Sequence, residues 1–167
     1  MHDELTKVDI EKMQAELEDR IKNQRPKLIE EVKRCRDFGD LSENFEYKEA
    51  KRAKNQNESR IRYLQGMINT AHIIEDNSDE NTVGLYDKVR VYVEEDDCEE
   101  EYSVVTTVRI ELNSGHISKE SPLGKAIFGK KVGDRVSVHV NDTYSYWVVI
   151  RSIEKGEDDG SVELMKY

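Results

Sequence analysis

Two carboxylates pose the first chemical question. Asp40 and Glu43 stand three residues apart in Arg36-Asp37-Phe38-Gly39-Asp40-Leu41-Ser42-Glu43-Asn44-Phe45-Glu46-Tyr47. Residues three apart at a helix start share one face, ~5–6 Å apart. The pair has two readings. In the first, Asp40 is an N-cap, Glu43 completes a capping box, and both acids complement the helix dipole. Spacing alone favours that reading. In the second, two exposed carboxylates contribute to a Mg²⁺ site. Mg²⁺ takes oxygen ligands, keeps several waters and often uses only one or two protein carboxylates. In two-metal phosphoryl chemistry the second ion positions and activates the attacking water. So sparse a pair binds Mg²⁺ poorly alone and needs a partner to supply the rest of the site.

The flanking segments are helical in composition. Residues 8–74 hold only Gly39, Gly66 and Pro26 as breakers. Ile10, Met13, Leu17, Ile21, Leu28, Val32 and Cys35 fall on one face before the turn. After it, Tyr47, Ala50, Lys54, Asn57, Ile61, Leu64, Ile68 and Ala71 step 3-4-3-4-3-4-3, a heptad seam. Its polar members, Lys54 and Asn57, cost stability and fix register. The short break at Phe38-Gly39-Asp40 predicts antiparallel pairing, a coiled-coil hairpin over residues 1–75 with its acidic tip at 39–44. Helices of roughly 28–31 residues are ~42–46 Å long. Pro26 removes one backbone hydrogen bond and is expected to kink the first helix.

Residues 76–82, all polar, read as a linker. Beyond them the period becomes two. Val89, Val91 and Val93 alternate with Arg90 and Tyr92, and Val136, Val138 and Val140 with Ser137 and His139. Tyr146 to Ile153 is rich in β-branched and aromatic residues. Ser121-Pro122 opens a short capped helix that Gly129 closes. Residues 83–155 are thus expected to form a small α+β domain, and the fold class is α+β. The acidic run Glu94–Glu101 reads as a solvated loop, without the Gly and Asn spacing of a Ca²⁺ loop. Residues 156–167 read as an acidic, loosely held tail.

Charge narrows the class. The chain carries 36 acidic and 26 basic side chains, a net of −10. Residues 76–167 hold 20 of the acids and 11 of the bases, a net of −9, so residues 1–75 are nearly neutral at −1. Residues 22–62 even hold a local excess of +4. This balance argues against independent nucleic-acid binding and against an anionic membrane surface. No apolar run of 18 residues occurs and no signal peptide is visible, so a cytoplasmic protein is expected. Cys35 and Cys98 read as free thiols. His2, His72, His116 and His139 have no metal-ligand spacing, and no phosphate-loop motif occurs.

Gly39-Asp40-Leu41-Ser42-Glu43-Asn44, followed by Glu46-Tyr47 and Ala50-Lys51, resembles the tip motif of the bacterial GreA/GreB transcript-cleavage factors. Arg25-Pro26, Ile117–Ala126 and Gly129-Lys130-Lys131-Val132-Gly133-Asp134 are similar to that family as well. The resemblance runs from about residue 5 to 153. It implies an antiparallel coiled coil followed by an FKBP-like domain, bound to RNA polymerase. The coil enters the secondary channel while the globular domain docks at its entrance. It implies that Asp40 and Glu43 help hold the second catalytic Mg²⁺. The polymerase then cleaves the 3′ end of a backtracked nascent RNA, and the factor is an accessory rather than a nuclease. It implies docking through Glu120, Ser121 and Pro122. Ser42 and Asn44 are candidates for supporting the tip through hydrogen bonds. Four features depart from the family pattern. Asn141-Asp142-Thr143-Tyr144 replaces a Pro-Gly-rich hairpin, Val104–Val108 lacks the usual glycine, the chain continues past Ile153, and the acidic run 94–101 is heavy.

The same residues admit other functions. A binding-only regulator would occupy the channel without needing two spaced carboxylates. A prolyl isomerase would follow from the FKBP-like fold alone, and fold is weak grounds for activity. A coiled-coil adaptor without chemistry would leave the tip motif unexplained.

Overall fold

The computed structural model describes residues 3–39, 44–111 and 114–166. Two compact units emerge. One comprises residues 1–3 and 10–71, the other residues 4–9 and 72–167. The expected α+β class is present, with a helical hairpin in the first unit and a sheet domain in the second.

The helix α1 (Lys7–Asp19), which enters the first unit at Ile10, runs through a π turn (Arg20–Gln24) into α2 (Arg25–Arg36), and α3 (Phe45–Thr70) returns. The predicted faces are the ones covered. Met13, Cys35, Asn57, Ile61 and Leu64 are buried, and the other apolar seam positions are half-buried. The 26 residues of α3 span about 39 Å at ~1.5 Å per residue.

The effect of Pro26 takes a specific form. Its missing N–H is accommodated by a wider turn, in which Arg25 N–H donates to the Arg20 carbonyl five residues back. Pro26 then sits in the first turn of α2, where no intrahelical donor is required. Asn57 reads this irregularity. Its Oδ1 accepts from Arg20 Nη1 at 3.0 Å, and its Nδ2 donates to the Arg20 carbonyl at 3.4 Å. A polar seam residue therefore bonds both the side chain and the backbone of the turn opposite, and any slip of register breaks both bonds. Glu16 adds cross-helix bonds to Arg60 at 2.9 Å, and Arg25 pairs bidentately with Glu58 at 2.7 and 2.8 Å.

The second unit holds a five-stranded sheet in the order β5-β4-β3-β7-β6. Its strands are β3 (Lys88–Val93), β4 (Cys98–Val105), β5 (His116–Ser118), β6 (Arg135–Asn141) and β7 (Tyr144–Glu154). Val89, Val91, Val104, Val138, Val148 and Ile150 point to one face and pack with Leu123 and Ile127 of α4 (Pro122–Ile127). A separate parallel pair joins β1 (Glu4–Leu5) to β2 (His72–Ile73), with Leu5 fully buried.

The structure revises four expectations. The acidic run is only half a loop: Cys98 to Glu101 lie in β4, with Glu99 opposite Tyr92 and Glu101 opposite Arg90. Backbone pairing with β3 holds these carboxylates in a strand despite their low β-propensity. Residues 4–9 belong to the second unit rather than the hairpin, because β1 pairs with β2 there. The polar segment 76–82 also packs on that unit, where Ser78 Oγ accepts from Lys155 Nζ at 2.9 Å.

The fourth revision concerns the C-terminal segment, which is held rather than loose. Arg109, fully buried, donates to Asp158 Oδ1 at 3.1 Å, Asp158 Oδ2 at 3.0 Å and the Val162 carbonyl at 2.8 Å. Its Nε lies 2.6 Å from Oδ1 of Asp9, also fully buried. That N–H is poorly aimed, so the contact is an ion pair rather than an aligned hydrogen bond. Asp9 and Thr6 also exchange capping bonds, Thr6 N to Asp9 Oδ2 at 2.9 Å and Asp9 N to Thr6 Oγ1 at 3.2 Å. The capping box that starts α1 therefore shares its carboxylate with the buried arginine. Leu164 is buried, and Met165 N donates to the Val108 carbonyl at 2.8 Å.

Candidate functional site at the hairpin tip

Asp40, Ser42 and Glu43 lie outside the described residues. α2 ends at Arg36 with three cations in its last turn, Lys33, Arg34 and Arg36. Gly39 follows with φ of 124°, a conformation that side chains rarely adopt. α3 begins at Phe45, and its N-cap is Asn44, not Asp40. Asn44 Oδ1 accepts from Tyr47 N at 3.0 Å, while its Nδ2 donates to the Cys35 carbonyl in the last turn of α2 at 2.8 Å. One amide thus starts α3 and ties the two helices together beside the tip. A carboxylate could cap but could not donate, which is the physical reason for Asn here.

The electrostatics of this end are mixed. The Arg34 guanidinium pairs with Glu31, whose carboxyl this contact holds below the usual range, and lies 5.6 Å from the centre of the Phe38 ring. Burial first, then the Glu31 charge, pushes the Cys35 thiol up, so it is poorly suited to act as a thiolate. Lys33, Arg36, Lys48 and Lys51 are exposed and make no ion pair among the described residues. Phe38 and Phe45 are 66% and 73% exposed. Sequence reasoning passed over both rings, and their signal was present: an aromatic residue on each side of the tip motif.

The second group of candidates lies in the other unit. Ser121 caps α4, accepting from Gly124 N at 3.0 Å and donating to the Ser118 carbonyl at 2.7 Å. Pro122 occupies the first turn of α4 and is exposed. Glu120 is exposed and pairs with Lys125 at 3.2 Å. A Cβ on Gly124 would overlap the Ser118 carbonyl, so the start of α4 is seated directly on the turn after β5. Glu120 and Pro122 are thereby displayed on a rigid corner. The tip and this corner belong to different units.

For a metal, the relevant observation is the donor set. Asp40 and Glu43 offer only carboxylate oxygens, which suit a hard cation such as Mg²⁺. Among the described residues no group of three or more His, Cys, Asp or Glu side chains is arranged to hold an ion. No helix among the described residues is long and apolar enough to cross a membrane.

Comparison with known proteins places both units. Residues 4–73 match the family described as "Transcription elongation factor, N-terminal", and residues 78–155 match "Transcription elongation factor, GreA/GreB, C-term". A protein named transcription elongation factor GreA from Oenococcus oeni is 38% identical over 154 residues, covering 92% of this chain and 95% of its own. A GreA from Thermoanaerobacter pseudethanolicus is 41% identical over 139 residues, covering 81% and 87%. Among solved structures, Gfh1 of Thermus aquaticus is 24% identical and covers 92% of this chain and 99% of its own. Its TM-score is 0.43, too low to carry an argument. With both halves matched in order and relatives near 40% identity along most of the chain, the protein belongs to the GreA/GreB family of transcription elongation factors.

Proposed function

We propose that this elongation factor binds RNA polymerase through its secondary channel and stimulates cleavage of the 3′ end of backtracked RNA. Asp40 and Glu43 would be the carboxylates that help hold the second Mg²⁺ of the polymerase site, where such an ion would supply the positioning and activation of water. The factor is an accessory and not itself a nuclease. Its docking corner is Glu120, Ser121 and Pro122, and its place of action is the cytoplasm.

The observation that carries this reading is the cap of α3. Asn44 caps that helix, so the capping of α3 does not account for Asp40 and Glu43. Their presence in a Gre-family tip is then best explained by metal chemistry. The exposed cations near the tip suit approach to RNA phosphates, and the −10 net charge keeps the free protein from binding nucleic acid by itself.

A backtracked elongation complex tests this. The wild-type protein should release short 3′ RNA fragments in Mg²⁺, and Asp40→Asn with Glu43→Gln should abolish release while still binding the polymerase. Equal cleavage by the double variant refutes the assignment. Slower nucleotide addition without any cleavage by the wild type would instead identify a regulator that only occupies the channel.

A further inference from the structure

Phe38 and Phe45 are the two most exposed large apolar side chains among the described residues, and both lie at one end of the hairpin. Asn44 bonds α3 to the Cys35 carbonyl, so the turn after α2 and the first residue of α3 are held next to each other. Neither ring contributes to the core. Both rings are therefore open to a binding partner.

The surroundings specify the occupant. Lys33, Arg36, Lys48 and Lys51 stand exposed within about two turns of the rings and make no ion pair among the described residues. The Arg34 guanidinium lies over the Phe38 ring. Aromatic faces interleaved with free cations are the chemistry that binds unpaired nucleotides, with bases stacking on rings and phosphates meeting ammonium and guanidinium groups. An apolar protein pocket would use the rings but has no need of the cations.

We propose that Phe38 and Phe45 are stacking platforms for the unpaired 3′-terminal bases of the RNA, holding the strand so that its scissile phosphate meets the tip carboxylates. This rests on the cleavage reading above and makes the two phenylalanines positioning residues for that reaction. Loss of stacking on one base corresponds to roughly 5- to 150-fold in binding. Both rings are exposed, so their replacement leaves the fold intact.

The test uses the full-length protein carrying Asp40→Asn and Glu43→Gln, so that no RNA is lost, with a backtracked elongation complex bearing 5-iodouridine at its RNA 3′ end. Long-wavelength irradiation joins that base to aromatic rings stacked on it. The expected product maps by peptide mass spectrometry to Phe38 or Phe45. It should fall at least tenfold with Phe38→Leu/Phe45→Leu and recover with Phe38→Tyr/Phe45→Tyr. In the background with intact carboxylates, the Leu pair should slow cleavage at least tenfold at saturating factor. Cross-linking elsewhere, or Leu performing as well as Phe in cleavage, overturns the proposal and assigns the rings to an apolar pocket of the polymerase. Cross-linking to the phenylalanines without stimulated cleavage by the wild type upholds stacking and overturns the cleavage reading instead.

Discussion

Replacing Arg109 with Met should be among the most damaging single changes in the second unit. Arg109 is fully buried, and its guanidinium serves Asp9, both oxygens of Asp158 and the Val162 carbonyl. Without it, two carboxylates remain together, one of them with no exposure at all. Breaking a buried pair by removing one partner costs about 3–5 kcal/mol. At 4–8 °C per kcal/mol for a domain near this size, the melting temperature should fall by about 12 °C or more. Asp158→Asn is milder, because Arg109 and Asp9 still balance each other and the amide oxygen still accepts. The loss there should be about 1–2 kcal/mol. The single tryptophan, Trp147, lies in β7, so its fluorescence reports melting of this unit and not of the hairpin. Arg109→Met melting within about 3 °C of wild type, or Asp158→Asn proving the worse variant, would refute the idea of an arginine-centred cluster.

Two further predictions concern the hairpin. Asn57→Ala removes both bonds to Arg20 and should destabilise the helices by about 1–3 kcal/mol, read as a lower midpoint in urea by circular dichroism at 222 nm; an unchanged midpoint would deny it a role in register. Burial alone would raise the carboxyl of Glu16, but bonds from Arg60 and Arg20 outweigh it and hold the group below its ordinary 4.5. A carboxylate lowered in the folded state stabilises above its unfolded value and loses that contribution as pH falls through the folded one. Helicity should therefore hold from pH 7 to near 4.5 and weaken below, with a shallower decline for Glu16→Gln. Identical acid profiles for the two proteins would contradict this.

The heptad seam was legible because it depends on local period alone. Each predicted position from Tyr47 to Ala71 is buried or half-buried. The polar Asn57 was legible too as a register device, though its partner, a π turn, was not. That turn follows from Pro26 meeting the demands of the opposite helix. The start of α3 was misread because Asp40 and Asn44 are both good caps, and the choice depended on the bond from Asn44 to the Cys35 carbonyl. The Arg109 cluster was invisible, since Asp9, Arg109 and Asp158 share no pattern and meet only in the fold. Its one local trace is Thr6-Lys7-Val8-Asp9, a capping box.

The arrangement of β1 and β2 bears on how the chain matures. Residues 4–9 belong to a unit whose remainder starts at residue 72, so the whole hairpin is an insertion within that unit. On the ribosome, Leu5 has no strand to join until Ile73 has emerged, and Asp9 has no arginine until Arg109 follows. Asp158 arrives 149 residues after Asp9, roughly 7–30 s later at ~5–20 residues per second. The helices, needing only neighbours in sequence, can zip during that wait. The nascent helices can thus pair before the second unit has closed.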